Sequence, residues 1–329
     1  MRIVFAGTPE AAVPGLRALI RSGHEIVAVV TRPDALLGRK RVLTPSPVAR
    51  VAEEAGLLVV KAARADADLT ERLAELAPDL GVVVAYGALL REPLLEIPRL
   101  GWINLHFSLL PRWRGAAPVQ RALIAGDAET GASVFQLEPG MDTGPVFAEL
   151  RRPIASTDTA GSLLAALAEE GAELLLEVVD DLAAGTASSS PQTGVTTAAP
   201  KLTLDDARVD AHRPRDEVSS RIRGVTPEPG AFVETDAGRL KLLETALALA
   251  VGVPAGSIVR EGRSILLGTS TAPIELLRVQ PAGKKAMGAA DWWRGRGSDE
   301  PVLIASAIDA ADVSSAADGP SAAGAGAAL

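Results

Sequence analysis

The chain has 329 residues, a formal net charge of −8, no cysteine and three histidines. That length suits two ordinary domains. The absence of thiols excludes disulfides, thiolate catalysis and cysteine-ligated metals, and His24, His106 and His212 are too few for a multi-histidine cluster, so no metal is expected.

The chain opens on an apolar run, residues 3–5, that is too short for a signal peptide and has no basic flank. No later run reaches membrane-spanning length, so a cytoplasmic protein without a membrane partner is expected. Further short runs at 26–30, 57–60, 80–84 and 102–105 are rich in Val and Ile and apolar on both faces, as buried parallel strands are. Residues 9–21, 47–55 and 67–77 between them have helical periodicity, and Thr8-Pro9-Glu10 supplies a cap, a first-turn proline and a first-turn acid. This alternation predicts βαβ wiring. Residues 132–136 and 146–150 extend the sheet, and 160–184 reads as a long helix.

Periodicity ends near Gly185, where a Ser-, Thr-, Gly- and Pro-rich stretch has the composition of a linker. Beyond it a short helix at 218–223 is followed by closely spaced strands at 231–234, 240–249, 256–260, 264–267 and 274–279, the pattern of a small barrel or sandwich. The divisions expected are 1–187 for an α/β domain, 188–204 for a linker, 205–300 for a β domain and 301–329 for a disordered acidic tail. From Asp299 onward there are five acids and no base, so the rest of the chain carries only −3. Local clusters such as Arg39, Lys40 and Arg41 therefore tell more than the total, because fields are screened within about 8 to 10 Å.

The chemistry concentrates in Asn104-Leu105-His106-Phe107-Ser108-Leu109-Leu110-Pro111, at a strand end, and in Gly140-Met141-Asp142-Thr143-Gly144. An Asn amide polarises a carbonyl, an imidazole moves a proton, and a carboxylate orients and charges that imidazole. With no Cys and no Gly-x-Ser-x-Gly elbow, Asn104, His106 and Asp142 suit direct acyl or formyl transfer without a covalent enzyme intermediate. Taken singly, each residue has a commoner structural use in a turn or cap. A dinucleotide-dependent oxidoreductase is disfavoured because Pro9 and Ala12 stand where the later glycines of Gly-x-Gly-x-x-Gly belong. A non-catalytic RNA-binding module would not need the three polar groups.

Longer words in the sequence add to this. Phe5-Ala6-Gly7-Thr8-Pro9-Glu10, Val84-Ala85-Tyr86-Gly87, Asn104 onward through Arg112-Trp113-Arg114-Gly115-Ala116-Ala117-Pro118, Gly126-Asp127-Ala128-Glu129-Thr130-Gly131 and Gln280-Pro281-Ala282-Gly283-Lys284-Lys285-Ala286-Met287 resemble, in order, the methionyl-tRNA formyltransferase family. The resemblance runs from Met1 to about Gly297. It implies an α/β fold, a Rossmann-like formyltransferase domain with a mostly parallel sheet, followed by a smaller OB-like β-barrel domain that helps hold tRNA. It further implies a monomer that transfers a formyl group from 10-formyltetrahydrofolate to methionyl initiator tRNA.

By motif match Asn104, His106 and Asp142 take the catalytic places, with His106 protonated. Ser108, Leu109, Leu110 and Pro111, with Tyr86 and Gly87, take the folate-binding places. Arg39, Lys40 and Arg41 lie in an insertion loop that reaches toward the acceptor arm, with Lys284 and Lys285 as further tRNA contacts, and Arg221, Arg223 and Lys241 as additional candidates. Phe107 and Glu228 depart from the family pattern, which often has Gly and Trp there. A formyltransferase for glycinamide ribonucleotide or a nucleotide sugar would share the three polar groups, but not this basic loop and second domain.

Overall fold

The computed structural model describes residues 1–38, 41–249 and 252–304. The chain divides into two compact units, Met1–Leu202 and Thr203–Leu329.

The first unit is built on a seven-stranded sheet. In chain order its elements are β1 (Arg2–Gly7), α1 (Val13–Arg21), β2 (Glu25–Thr31), the hairpin strands β3 (Ala35–Leu37) and β4 (Val42–Thr44), α2 (Pro47–Glu54), β5 (Val59–Lys61), α3 (Ala67–Glu75) and β6 (Leu80–Val84). They continue with β7 (Trp102–His106), α4 (Pro118–Ala125), β8 (Glu129–Gln136), β9 (Val146–Pro153) and α5 (Ala160–Ala184). The strand order is β5-β2-β1-β6-β7-β8-β9. Pairing is parallel from β5 to β7 and antiparallel from β7 to β9, so the expected extension of the sheet forms with reversed direction.

The order turns back between β1 and β6, and the crevice beyond the strand ends at such a reversal is where open α/β sheets bind ligands. The apolar strands bury both faces. One face packs Leu16, Leu19, Leu163, Leu167 and Leu175 of α1 and α5; the other packs Leu69 and Leu73 of α3 with Tyr86, Leu94 and Trp102. Trp102 donates its indole N–H to the Leu94 carbonyl at 2.9 Å, and its ring lies over Gly81 of β6.

Several elements carried too little sequence pattern to be foreseen: the β3–β4 hairpin, α4 and, in the second unit, α7. The hairpin, which displays exposed Leu36, Val42 and Leu43, lies within the basic segment.

The second unit contains α6 (Arg215–Gly224), β10 (Phe232–Thr235), β11 (Gly238–Leu247), β12 (Ser257–Glu261), β13 (Ser264–Leu267), β14 (Ile274–Pro281), β15 (Met287–Gly288), α7 (Ala289–Arg294) and β16 (Val302–Leu303). Its antiparallel sheet runs β10-β11-β14-β13-β12-β16, with β15 paired to β14. A bridge from Thr235 to Ile304 joins the two edges, so the sheet closes on itself, which removes exposed strand edges. Closure uses residues that the sequence reading assigned to the tail beyond 300. Val302 is buried because it pairs with Ile258, which an acid count does not reveal. The rest of that acidic segment, 305–329, lies outside the described residues.

Gly81 is a stringent test of the packing. A Cβ there would lie 2.1 Å from Trp102 Cδ2, whereas at Gly23 it would meet nothing within 4 Å. Gly81→Ala is expected to destabilise the first unit by about 1–3 kcal/mol, and Gly23→Ala to have little effect; urea unfolding of the two variants distinguishes them.

Candidate active site

Asn104 and His106 are two residues apart on β7 and so project from the same face of the sheet. Their register is fixed on both sides: Asn104 lies between Val83 of β6 and Phe135 of β8, and His106 opposite Ser133. The β8–β9 loop brings Asp142 to them. All three line a cleft of about 510 Å³, with Tyr86 and Gly87 beyond the end of β6 and Val83, Leu90, Leu95, Phe107 and Leu137 as apolar walls.

His106 is 6% exposed and Asp142 17% exposed. Burial pushes the imidazole below the ordinary histidine value of 6.5, while the Asp142 charge and the hydrogen bond to the Trp113 carbonyl pull the other way. Burial thus favours the neutral imidazole at rest. Its Nε2 lies 2.9 Å from the Trp113 carbonyl, which only accepts, so Nε2 carries the proton. Nδ1 is left with its lone pair and faces Asp142 Oδ2 at 3.8 Å. The Asp142 carboxylate is itself held by the Gly115 N–H at 2.7 Å. On Asn104, Oδ1 is buried without a hydrogen-bond partner among the described residues. An orphan of this kind costs about 1–3 kcal/mol, which a ligand donor would relieve.

Two loops hold these groups. The 107–117 loop is anchored by Asp127, which accepts both a forked pair of bonds from Arg112 at 2.7 and 2.8 Å and the Trp113 indole N–H at 2.8 Å. Trp113 (φ 60°) and Asp142 (φ 51°) both adopt left-handed backbone, and so does Ala85 (φ 47°) in the cleft wall. Such conformations are uncommon outside glycine and cluster at functional sites.

The other foreseen residues are distributed less simply. Tyr86 and Gly87 line the cleft, but Ser108, Leu109, Leu110 and Pro111 do not. Ser108 Oγ donates to the Arg112 carbonyl at 2.7 Å, and Ser133 Oγ donates to the Ser108 carbonyl at 2.7 Å while accepting the Leu110 N–H at 3.2 Å. This segment consequently builds the turn beneath the site, and it is Phe107, just before it, that reaches the cleft. Arg39 and Lys40 lie outside the described residues. Arg41 is exposed at the tip of the β3–β4 hairpin, and in the second unit Lys284 and Lys285 are exposed in the turn between β14 and β15. Lys241 is exposed as well, whereas Arg221 is half-buried and donates to the Asp206 carbonyl at 2.9 Å. Glu228 is exposed.

The stretch read as a linker is docked on the first unit. Ser190 exchanges a pair of backbone bonds with Val146 at 2.8 and 2.9 Å, and Ala199 donates to the Arg114 carbonyl at 2.7 Å. Gln192 and Thr197 on this stretch contact both active-site loops. No periodicity marked them, because a strap paired by isolated bridges needs no repeating pattern.

Comparison with known proteins agrees with this architecture. Residues 1–179 match the formyl transferase family and residues 201–297 the formyl transferase C-terminal domain. The chain is 59% identical over 299 residues to the methionyl-tRNA formyltransferase of Leifsonia xyli subsp. xyli, covering 91% of this chain and 99% of that protein. It is 56% identical over 299 residues to the methionyl-tRNA formyltransferase of Thermobifida fusca, covering 90% and 96%. Among solved structures, the sugar 3N-formyl transferase WlaRD, in the presence of dTDP and 5-N-formyl-THF, superposes with a TM-score of 0.65 at 17% identity, covering 87% of this chain and 99% of that one. The N-formyltransferase from Helicobacter canadensis, with folinic acid and dTDP-3-aminofucose, gives 0.64 at 16% identity, covering 83% and 98%. At those identities the likeness is one of fold.

The electrostatics predict a titration. His106 is expected to titrate below 6.5, and Asp142→Asn to lower it further by removing the charge that favours imidazolium. Imidazole chemical shifts followed against pH by NMR measure both; a His106 titrating above the ordinary value, or rising in Asp142→Asn, contradicts this account. The linked stability follows in sign. Because the folded pKa is depressed, stability is lost as pH falls through the unfolded value near 6.5, where the unfolded chain binds the proton first.

Proposed function

The chain belongs to the methionyl-tRNA formyltransferase family, and we propose from that premise how its residues transfer a formyl group from 10-formyltetrahydrofolate to the α-amine of methionyl initiator tRNA. The observation that carries the mechanism is the convergence of Asn104, the Nδ1 lone pair of His106 and the Asp142 carboxylate on one cleft whose remaining walls are mostly apolar, with Glu138 as the other charged residue that lines it.

The apolar walls receive the folate ring system, with the turn after β6 at Tyr86 and Gly87 bordering it and the formyl carbon placed beside Asn104. The methionyl amine attacks that carbon. Its nitrogen–carbon bond forms as the carbonyl electrons move onto oxygen, and the Asn104 amide N–H groups donate to the resulting oxyanion, a contribution of about 2.7–4 kcal/mol to the barrier. His106 Nδ1 takes the amine proton, so the imidazolium exists only during the reaction and then adds its own donor to the oxyanion. Asp142, 3.8 Å away, lowers the cost of that transient charge. Collapse of the intermediate breaks the bond to N10 of the folate, which leaves with the proton from His106. The products are N-formylmethionyl-tRNA and tetrahydrofolate, with no covalent enzyme intermediate.

We assign the RNA to basic groups: Arg39, Lys40 and Arg41 of the first unit, Lys284 and Lys285 of the second. Lysine and arginine contacts to phosphate give salt-dependent affinity with little sequence content. The alternative acceptors, a nucleotide sugar or glycinamide ribonucleotide, are less well supported. Relatives named methionyl-tRNA formyltransferase match over both units at 52–59% identity, whereas the sugar-modifying structures share only the fold.

The direct test is incubation with methionyl initiator tRNA and 10-formyltetrahydrofolate, with formylmethionine as the expected product; its absence rejects the reading. Asn104→Ala is expected to lower kcat about 10²–10³-fold with folate binding retained. Arg41→Glu is expected to raise the KM for tRNA and flatten its log–log salt dependence by about one unit, leaving folate binding unchanged.

A further inference from the structure

Two residues in left-handed backbone, Trp113 and Asp142, flank the imidazole of His106, and each is tied to the strap formed by residues 190–199. On the Trp113 side, Thr197 Oγ1 accepts the Trp113 N–H at 2.8 Å, and the Arg114 N–H donates to the Thr197 carbonyl at 2.9 Å. The second bond is on the very peptide whose carbonyl accepts from His106 Nε2 and the first is on the peptide before it, so Thr197 holds Trp113 from both sides. On the Asp142 side, Gln192 Nε2 donates to the carbonyls of Asp142 and Gly144, each at 2.8 Å. Gln192 Oε1 meanwhile accepts from Arg114 Nε and Nη2 at 3.1 and 2.6 Å.

One amide thus joins the two active-site loops by its two ends. The direct tie between those loops, Gly115 N–H to Asp142 Oδ2, fixes one point; Gln192 adds a second, so the carboxylate keeps its distance from Nδ1. The space is tight enough to hold the register, since a Cβ on Gly115 would lie 2.8 Å from the Ala199 carbonyl oxygen.

We propose that Gln192 and Thr197 are positioning residues for the transfer: Thr197 holds the carbonyl that dictates which imidazole nitrogen carries the proton, and Gln192 holds Asp142 at its station beside the other nitrogen. The inference rests on the formyl-transfer reading. Neither residue lines the cleft, and both act through His106. The joining segment is therefore part of the catalytic apparatus as well as the connection into the second unit.

Two measurements test this. In the wild-type protein at mildly alkaline pH, ¹⁵N NMR of the imidazoles is expected to find His106 as the Nε2–H tautomer, and Thr197→Val, which keeps the shape and loses the hydroxyl, to shift it toward a mixture. A wild-type Nδ1–H tautomer, or a pure Nε2–H tautomer in Thr197→Val, overturns the role of Thr197.

In the formylation assay, Gln192→Ala and Thr197→Val are expected to lower kcat roughly 10- to 100-fold with little change in the KM for 10-formyltetrahydrofolate. Thr197→Ser is expected to recover most of the Thr197→Val loss. Gln192→Glu, which still accepts from Arg114 but cannot donate to the two carbonyls when ionised, is expected to be as slow as Gln192→Ala. Near-wild-type kcat in Gln192→Ala or Gln192→Glu overturns the role of Gln192, as does a loss confined to KM. A wild-type protein that fails to formylate rejects the functional reading instead, and the tautomer measurement still decides the role of Thr197 in holding the imidazole.

Discussion

An imidazole cut off from water has one inexpensive protonation state, and the arrangement around His106 follows from that constraint. At 6% exposure the charged form is poorly solvated, so the ring rests neutral. A neutral imidazole has one donor and one acceptor, and the Trp113 carbonyl claims the donor. What remains is a single basic nitrogen aimed toward a carboxylate and a substrate cleft. The carboxylate at 3.8 Å is too distant to accept a hydrogen bond, yet close enough to act on a charge that appears during turnover, where limited solvent screening strengthens the interaction.

Holding that geometry falls to the sheet and the loops in different ways. β7 sits between a parallel and an antiparallel neighbour, so Asn104 and His106 are registered from both sides and cannot slip without turning to the other face. The adjacent β6 admits Trp102 only because Gly81 has no side chain beneath the indole, which lets β6 and β7 end together at the cleft. The loops depend on polar ties instead. Trp113 and Asp142 occupy backbone conformations costing on the order of 1–3 kcal/mol each, and hydrogen bonds donated to Asp127 and Thr197 and donated by Gly115 and Gln192 over-determine both positions.

This difference explains what the sequence disclosed. Buried strands read as continuous apolar runs and amphipathic helices as a period of 3.6, so β1, β2, β6, β7 and α5 were legible, as were the short β runs of the second unit. Asn104 and His106 could be singled out because the chain has a single Asn and three His; Asp142 is one of 41 acids and stood out only through its Gly-Met-Asp-Thr-Gly turn. Gln192 and Thr197 could not, since an isolated Gln and Thr in a Ser-, Thr- and Gly-rich stretch look the same whether solvated or clasped. At Ser108 to Pro111 the hydrogen bonds tie a turn beside the site while Phe107 and the chain beyond β6 line the cleft, a division of labour that the motif itself does not reveal. The direction in which His106 shifts was also beyond the sequence, because only the fold reveals a desolvation that opposes the pull of Asp142. Val302 lay too close to an acidic, featureless terminus for its pairing with Ile258 to be read.

The acidic net charge and a proposed RNA partner are compatible because basic groups stand exposed on short turns. Arg41 is at the tip of the β3–β4 hairpin, and Lys284 and Lys285 occupy the turn from β14 to β15. Many other arginines are already paired, as Arg2 is with Glu25, Arg151 with Glu129 and Arg278 with Glu244. Pairing leaves those side chains little field to offer a phosphate, whereas no ion pair is formed by Arg41, Lys284 or Lys285 among the described residues. The exposed Leu36, Val42 and Leu43 beside Arg41 sharpen the contrast, because a hairpin that only solvated its charges would have no use for apolar side chains facing water. The proposed chemistry thus falls to buried groups on a sheet and the proposed RNA contacts to exposed turns, so neither has to meet the other's demand for burial or exposure.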